Sequence, residues 1–551
     1  MSFARGRVRV GSGGMSIRPL AEPGLQVLGR IMLAFVGGTL PDWVTRRLAM
    51  APVAGMTLFR HHNVRSAGQV RELTEAFQRA GAGMAWTRGG SGATPLPLLV
   101  AADQECGQFQ ALGDDATQFG GNMALGAAGD ADLAERVGRA IALEARAMGV
   151  NVVYGPVLDL ATEPANAALG IRSFGDDPAA VARLGAAMIR GIQGAGAAAT
   201  LKHFPGLGEV RQDTHFGLGV VDADRERLDT STLVPFRAAI VAGVQLAMSA
   251  HIAVPALTGD PHLPATLSAD VMDGLLRREL GFGGVTISDA LDMRALAQGA
   301  EQAAQIEAAV RAGVDLLLSA ADRDAQGRIE AALVSALAAG RFDRAALAAS
   351  RAQIDALRAW LAAAGPGPDL DVVASAGHRA LSRELAERSI TLARGPLERL
   401  APDSRILAVM PQPTDLTPAD TSSTVAPGLG RALRTRFASV DEIVVPLAPG
   451  DSEIAEVRRL AAGVDAVVVG TIDAIRQPGQ AALVDAVARV APRTIAVALR
   501  TPWDVAGYPA GVPAVCTYSI LPDSLEALAR VLAGALAPVG RLPVAVPGLP
   551  A

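Results

Sequence analysis

Two of the seven histidines in this 551-residue chain fall in one short stretch, 201–218, which reads LKHFPGLGEVRQDTHFGL. His215 follows Asp213 by two residues. A carboxylate so placed holds an imidazole in one tautomer and favours its protonated form, which makes a proton-transfer couple suited to near-neutral pH. Lys202 and His203 open the same stretch. Further candidates are Asp103, Arg172, Met248, His251 and Asp289. Most of them follow short apolar runs, where the active sites of α/β proteins gather.

The elements that must position these residues read as alternating strands and helices. Apolar runs at 53–59, 96–102, 150–157, 196–201, 244–248, 284–287 and 314–318 read as strands, and an eighth is ambiguous. Helical periodicity is expected at 25–36, 66–80, 131–148, 177–193, 232–242, 269–280, 303–312 and 329–339, with Ser66 as an N-cap and Pro178 in a tolerated first turn. Such alternation over some 320 residues calls for parallel strands with crossover helices, and the count favours a closed barrel over an open sheet. Pro205 and the glycines at 206, 208 and 217 end the strand before His203 and suggest a mobile loop. Residues 362–370 read as a linker into a second α/β unit with strands near 405–410, 442–445, 466–469, 494–498 and 514–518. The fold expected is therefore α/β: a (β/α)8 TIM-type barrel over 16–361, then a smaller α/β sandwich domain over 371–551, with 1–15 a disordered tail and Met15 a possible start.

Half the residues are hydrophobic, 19% are charged and the net charge is −5. That composition describes a globular protein and gives no reason to expect a nucleic-acid partner. The two cysteines, Cys106 and Cys516, lie far apart, so no disulfide framework is expected. No transmembrane run and no signal-peptide core stand out, and a cytoplasmic setting is expected. The histidine, cysteine and acid spacings suggest no metal site, the second unit carries no nucleotide-binding glycine motif, and no cofactor is expected. His61, His62, His262 and His378 read as structural or exposed.

The 201–218 stretch resembles the KHFPGHGDTxxDSH signature of glycoside hydrolase family 3, in its β-N-acetylglucosaminidase branch. Similarity continues in LFRHHNVRS around Asn63, in Ala102-Asp103-Gln104-Glu105, in GNMALG at 121–126, in PVLD ending at Asp159, and in RSFG at 172–175. It extends through MSAH ending at His251, SDAL at 288–291, RSITL at 388–392 and GRLP at 540–543. The resemblance implies a barrel followed by an α/β sandwich, and a retaining hydrolase that releases terminal β-N-acetylglucosamine from cell-wall muropeptides or amino-sugar glycosides. It implies Asp289 as nucleophile and Asp213 with His215 as the acid/base dyad. Asp103, Arg172, Lys202 and His203, with Met248 and His251, would hold the sugar. The implied partner is a carbohydrate, and the oligomeric state stays open.

The sequence departs from the signature at Cys106, Gln108, Ala111 and Leu207. Ala111 falls where the resemblance implies a sugar-binding arginine, and the loss of one charge-assisted hydrogen bond amounts to about 1.5–3 kcal/mol. A shifted sugar preference, a replacement arginine from another loop, or weakened activity would each follow. The alternatives to hydrolysis of N-acetylglucosaminides are phosphorolysis, a β-glycosidase of shifted preference, and a sugar-binding protein with weakened catalysis. A β-glucosidase of this family would take a carboxylate acid/base, usually from the second domain, which argues against it here.

Overall fold

The computed structural model describes residues 24, 27–82 and 96–550. The expected tail at 1–15 lies outside them. Eight strands run β1 (Ile31–Leu33), β2 (Gly55–Leu58), β3 (Leu99–Ala102), β4 (Val152–Val153), β5 (Ala198–Phe204), β6 (Leu246–Ser249), β7 (Val285–Ser288) and β8 (Leu317–Leu318). All pair in parallel with their neighbours in chain order, and β1 also pairs with β8. The circle closes between β7 and β8 through the Ile287–Leu316 bridge, where Ser288 N–H donates to Leu316 O at 2.9 Å and Leu316 N–H to Thr286 O at 2.9 Å. The chain forms a (β/α)8 barrel.

The helices form for local reasons. Ser66 caps Ala67–Gly81 by accepting Gln69 N–H at 3.2 Å, and Asp177 caps Pro178–Gly194 by accepting Ala179 N–H at 2.9 Å. The first barrel strand corrects the sequence reading: 25–36 was expected to be helical, yet Ile31–Leu33 is β1. A parallel strand covered on both faces carries a continuous apolar run without period-two alternation, so its spacing mimics a helix. Pairing to both β2 and β8 decides the matter.

A second sheet follows: β9 (Thr391–Arg394), β10 (Arg405–Pro411), β11 (Ser439–Val445), β12 (Ala466–Thr471), β13 (Thr494–Ala498) and β14 (Ala514–Cys516). Its order is β9-β14-β13-β12-β10-β11, with β9 alone antiparallel. The chain order reverses between β10 and β12, where an open parallel sheet leaves a crevice beyond its strand ends. The segment after β10 departs there and reaches the barrel: Thr421 N–H donates to Gln108 O at 2.8 Å, and Thr421 Oγ1 accepts Gln110 N–H at 3.2 Å. Glu144 with His378 at 2.7 Å and Asp130 with Arg388 at 2.7 Å also join the two units. Among the described residues no helix is long and apolar enough to cross a membrane.

The glycines after β5 are required by close packing. Gly206 has φ +119°, and a Cβ on Gly208 would sit 1.9 Å from Leu160 O. Gly208→Ala should therefore lower stability by about 1–3 kcal/mol. Gly327→Ala, in the open interior of the helix Arg323–Ala338, should be neutral or stabilising by about 0.4–1 kcal/mol. Paired thermal melts check both.

Candidate active site

The carboxyl ends of β3 and β5, with the segment after β4, are joined by a buried chain of polar groups. Asp103 follows β3, and its Oδ1 accepts from Lys202 Nζ at 2.7 Å. Lys202 also pairs with Glu105, and Glu105 receives both sides of the Arg172 guanidinium, Nε at 2.7 Å and Nη2 at 2.8 Å. Arg172 Nη2 reaches His203 Nε2 at 3.4 Å, and His203 Nδ1–H donates to Asp159 Oδ2 at 2.7 Å. Asp159 Oδ1 further accepts Leu207 N–H at 2.8 Å, which ties the loop after β5 to the end of β4.

Burial would raise the Glu105 carboxyl, but Arg172 and Lys202 outweigh it and hold the group down at about 2. Asp103 goes the other way, because its burial exceeds the help of a single lysine, and its pKa rises. Burial works against the charged forms of Arg172 and Lys202 too, yet the neighbouring carboxylates leave both raised.

Asp213 and His215 stand on the loop that follows. His215 Nδ1–H donates to Asp213 Oδ1 at 2.7 Å, and the same oxygen accepts His215 N–H at 2.9 Å. Nδ1 is thereby occupied, and among the described residues Nε2 has no partner. Partial burial would raise the Asp213 carboxyl, but these hydrogen bonds pull it below the ordinary range. The loop is tied to the segment after β7 by Arg294 N–H to His215 O at 3.2 Å and Ala295 N–H to Thr214 O at 3.3 Å.

Asp289 follows β7. Burial favours its neutral form, yet the fields of His203, His251 and His215 lower its pKa and keep it ionised. His251 was expected to touch sugar. It is instead buried and absent from the cavity wall, with Nε2–H donating to Ala290 O at 3.2 Å and Nδ1 accepting from Thr266 Oγ1 at 2.8 Å. Burial lowers its pKa, and its bond to the Ala290 carbonyl supports the Asp289 segment.

A cavity of about 420 Å³ brings together Asp289, His215, Asp103, Arg172, Lys202, His203 and Met248. Asp213 lies behind His215. His61 and His62, expected to be structural or exposed, stand on the cavity wall, His61 being exposed as well. His378, by contrast, pairs with Glu144.

Three contributors escaped the sequence reading. Glu105 sat in the quoted motif, and the signal for it was charge: Lys202 and Arg172 could not both be buried against Asp103 alone. Asp159, at the end of its own motif, orients His203. The third, Pro418, Ala419 and Thr421 from the second domain, lines the cavity beside Ala111, and no local signal marks it. The replacement arginine considered for Ala111 has no counterpart in Arg500. Arg500 reaches Gln108 but is buried against Asp420 at 2.8 Å and does not line the cavity.

Cys106 has φ +70°, a conformation that favours glycine, and burial pushes its thiol up to about 12, so it fills space and is unreactive. Both cysteines are free and buried. Among the described residues no cluster of three potential metal ligands occurs.

Known proteins resemble this chain in sequence and in fold. A family model described as the glycosyl hydrolase family 3 N-terminal domain matches residues 33–357. Beta-hexosaminidase A of Pseudoalteromonas piscicida is 33% identical over 376 residues, covering 64% of this chain and 61% of that protein. A beta-N-acetylglucosaminidase/beta-glucosidase of Cellulomonas fimi is 35% identical over 315 residues, 54% of this chain and 55% of its own length. The chain thus spans well under two thirds of both relatives. A glycoside hydrolase family 3 beta-N-acetylglucosaminidase structure from Paenibacillus sp. superposes with TM-score 0.88 at 35% identity, covering 96% of this chain and 99% of that one.

Glu105→Gln should leave Arg172 and Lys202 buried without their shared counter-charge and destabilise the fold by about 3–5 kcal/mol at neutral pH. A carboxyl depressed to about 2 in the folded chain, from its ordinary 4.5, stabilises fully above 4.5 and loses that contribution as pH falls towards 2. Thermal melts should therefore show a large gap between wild type and Glu105→Gln at pH 7 that narrows through this acid window.

Proposed function

Since the chain belongs to glycosyl hydrolase family 3, we propose that it releases terminal β-linked N-acetylglucosamine by a retaining mechanism. The observation that carries this reading is that an ionised carboxylate, Asp289, and an imidazole oriented by a carboxylate, His215 with Asp213, line or support one cavity whose floor is polar and charged. A retaining hydrolase needs a carboxylate nucleophile and a proton donor acting on one glycosidic bond.

In the first step Asp289 attacks the anomeric carbon. The bond to the leaving oxygen breaks, and His215 gives that oxygen its Nε2 proton. In the second step His215 takes a proton from water, the water oxygen bonds to the anomeric carbon, and the Asp289 ester opens. Asp213 keeps the Nδ1 proton in place throughout. Asp103, Lys202, His203 and Arg172 present polar groups to sugar hydroxyls, with Met248 as an apolar wall; their preorganisation spares rearrangement during reaction. The names of the relatives from C. fimi and Paenibacillus support N-acetylglucosamine as the sugar, and that from P. piscicida supports a hexosamine. Muropeptide recycling or amino-sugar catabolism in the cytoplasm is the setting we propose.

Phosphorolysis is a second reading. Arg294 lines the same cavity and has no ion-pair partner among the described residues, and its backbone is bonded to that of His215, so an anionic acceptor would find a cation there. A histidine donor, neutral once its proton is given, does not repel phosphate.

Wild type should release nitrophenol from an aryl β-N-acetylglucosaminide, and Asp289→Ala should bring release to background. His215→Ala should lower turnover of an alkyl glycoside by about 10²–10⁴, with partial rescue by azide on the aryl glycoside, since azide needs no deprotonation. Because Asp289 and Asp213 are both lowered, the acid limb of kcat/KM should lie below the ordinary aspartate range. A strong rise in turnover with phosphate would favour phosphorolysis, and an inactive wild type would overturn both readings.

A further inference from the structure

Phe216 follows the proposed proton donor directly, and its side chain is 59% exposed. Among the described phenylalanines, tyrosines and tryptophans it is the only one that stands exposed. A single exposed apolar side chain needs no explanation in general, but this one lines the catalytic cavity.

It is also displayed by a tied turn. Phe216 N–H and Gly217 N–H both donate to Asp213 O, at 2.9 and 3.3 Å, and the turn is bonded to the segment after β7 through His215 O and Thr214 O. The turn that aims the imidazole therefore fixes where the ring stands, and both depend on Asp213.

Donor chemistry places the rest. In the proposed reaction His215 must reach the oxygen between the released sugar and its aglycone, while Asp289 attacks from the other side of that bond. The aglycone begins at that oxygen. The residue next to the donor, on the same turn, is consecutive with it at about 3.8 Å between Cα atoms. A pyranose ring has one face made largely of C–H groups and a rim of hydroxyls, and an aromatic face is an apolar, electron-rich partner for those C–H groups. Arg294 and Asp292, both exposed and both on the cavity wall, supply a donor and an acceptor for the hydroxyl rim.

We propose that Phe216 is the stacking platform of an aglycone subsite that selects a second pyranose ring, so that preferred substrates carry N-acetylglucosamine on another sugar. This rests on the hydrolase reading above, and the test separates the two. Hydrolysis of methyl β-N-acetylglucosaminide is compared with that of the β-1,4-linked N-acetylglucosamine disaccharide, for wild type, Phe216→Ala and Phe216→Tyr. Both leaving groups are alcohols, and only one has a ring to stack. Phe216→Ala should lower the disaccharide-to-methyl ratio of kcat/KM roughly three- to tenfold, with the methyl glycoside within about twofold of wild type, and Phe216→Tyr should restore the ratio. An unchanged ratio in Phe216→Ala, or equal loss on both substrates, overturns the subsite and leaves the hydrolase reading standing. A wild type inactive on both substrates overturns the hydrolase reading and the subsite with it.

Discussion

The site depends on one buried arrangement, Glu105 held between Arg172 and Lys202. Two cations on the floor of a cavity repel each other and lose hydration, and neither could remain there without a carboxylate between them. Glu105 resolves this by accepting from both, Arg172 in a two-point fork that fixes the planar guanidinium. The chain continues to Asp103 on one side and through His203 to Asp159 on the other. Three sections of the barrel's carboxyl rim are locked together by groups that would each be unfavourable alone. Arg172 also lies over the Phe109 ring at 5.7 Å, which adds an apolar surface to its confinement.

That floor leaves the reacting groups a different electrostatic position. Asp289 and His215 are not members of the chain, yet they sit in its field and in each other's. Asp289 stays ionised because three imidazoles surround it, and one of these, His203, is itself held by Asp159. The proposed acid/base pair is tuned separately, by a carboxylate two residues away on its own loop. The charges proposed to hold the sugar and those proposed to react are thus controlled by different hydrogen bonds, so the floor can be neutralised without quenching the Asp289 charge.

Much of this was legible from sequence because the barrel repeats one unit. Apolar runs marked seven strands, polar residues at their ends marked the rim, and the spacing in Asp213-Thr214-His215 marked a proton couple. What escaped did so for physical reasons. β1 is covered on both faces, so its pattern carries no period of two. Glu105 and Asp159 stood in recognised motifs, but their roles depend on which charges meet across the barrel, and spacing does not encode that. His251 reads like a ligand-facing residue at a strand end and turns away, because Thr266 and the Ala290 carbonyl satisfy both ring nitrogens. The glycines after β5 looked like marks of mobility, yet Gly208 packs against the Leu160 backbone and Gly206 against the Thr232 side chain.

The wall formed by the second domain is the least legible feature, and it changes the meaning of Ala111. Read along the chain, Ala111 is a missing arginine and a weakened grip on sugar. In space, Ala111 shares the cavity wall with Pro418, Ala419 and Thr421, and Thr421 is bonded on both sides to the 108–110 segment. Asp420, beside it, is held by the buried Arg500, which also grips Gln108. Position 111 therefore faces the same cavity as residues of the second domain. The wall beside Ala111 is apolar with one hydroxyl and is supplied from the segment after β10. The shape of the cavity on this side is then set by the fit between two domains, and the barrel's sequence alone carries only half of it.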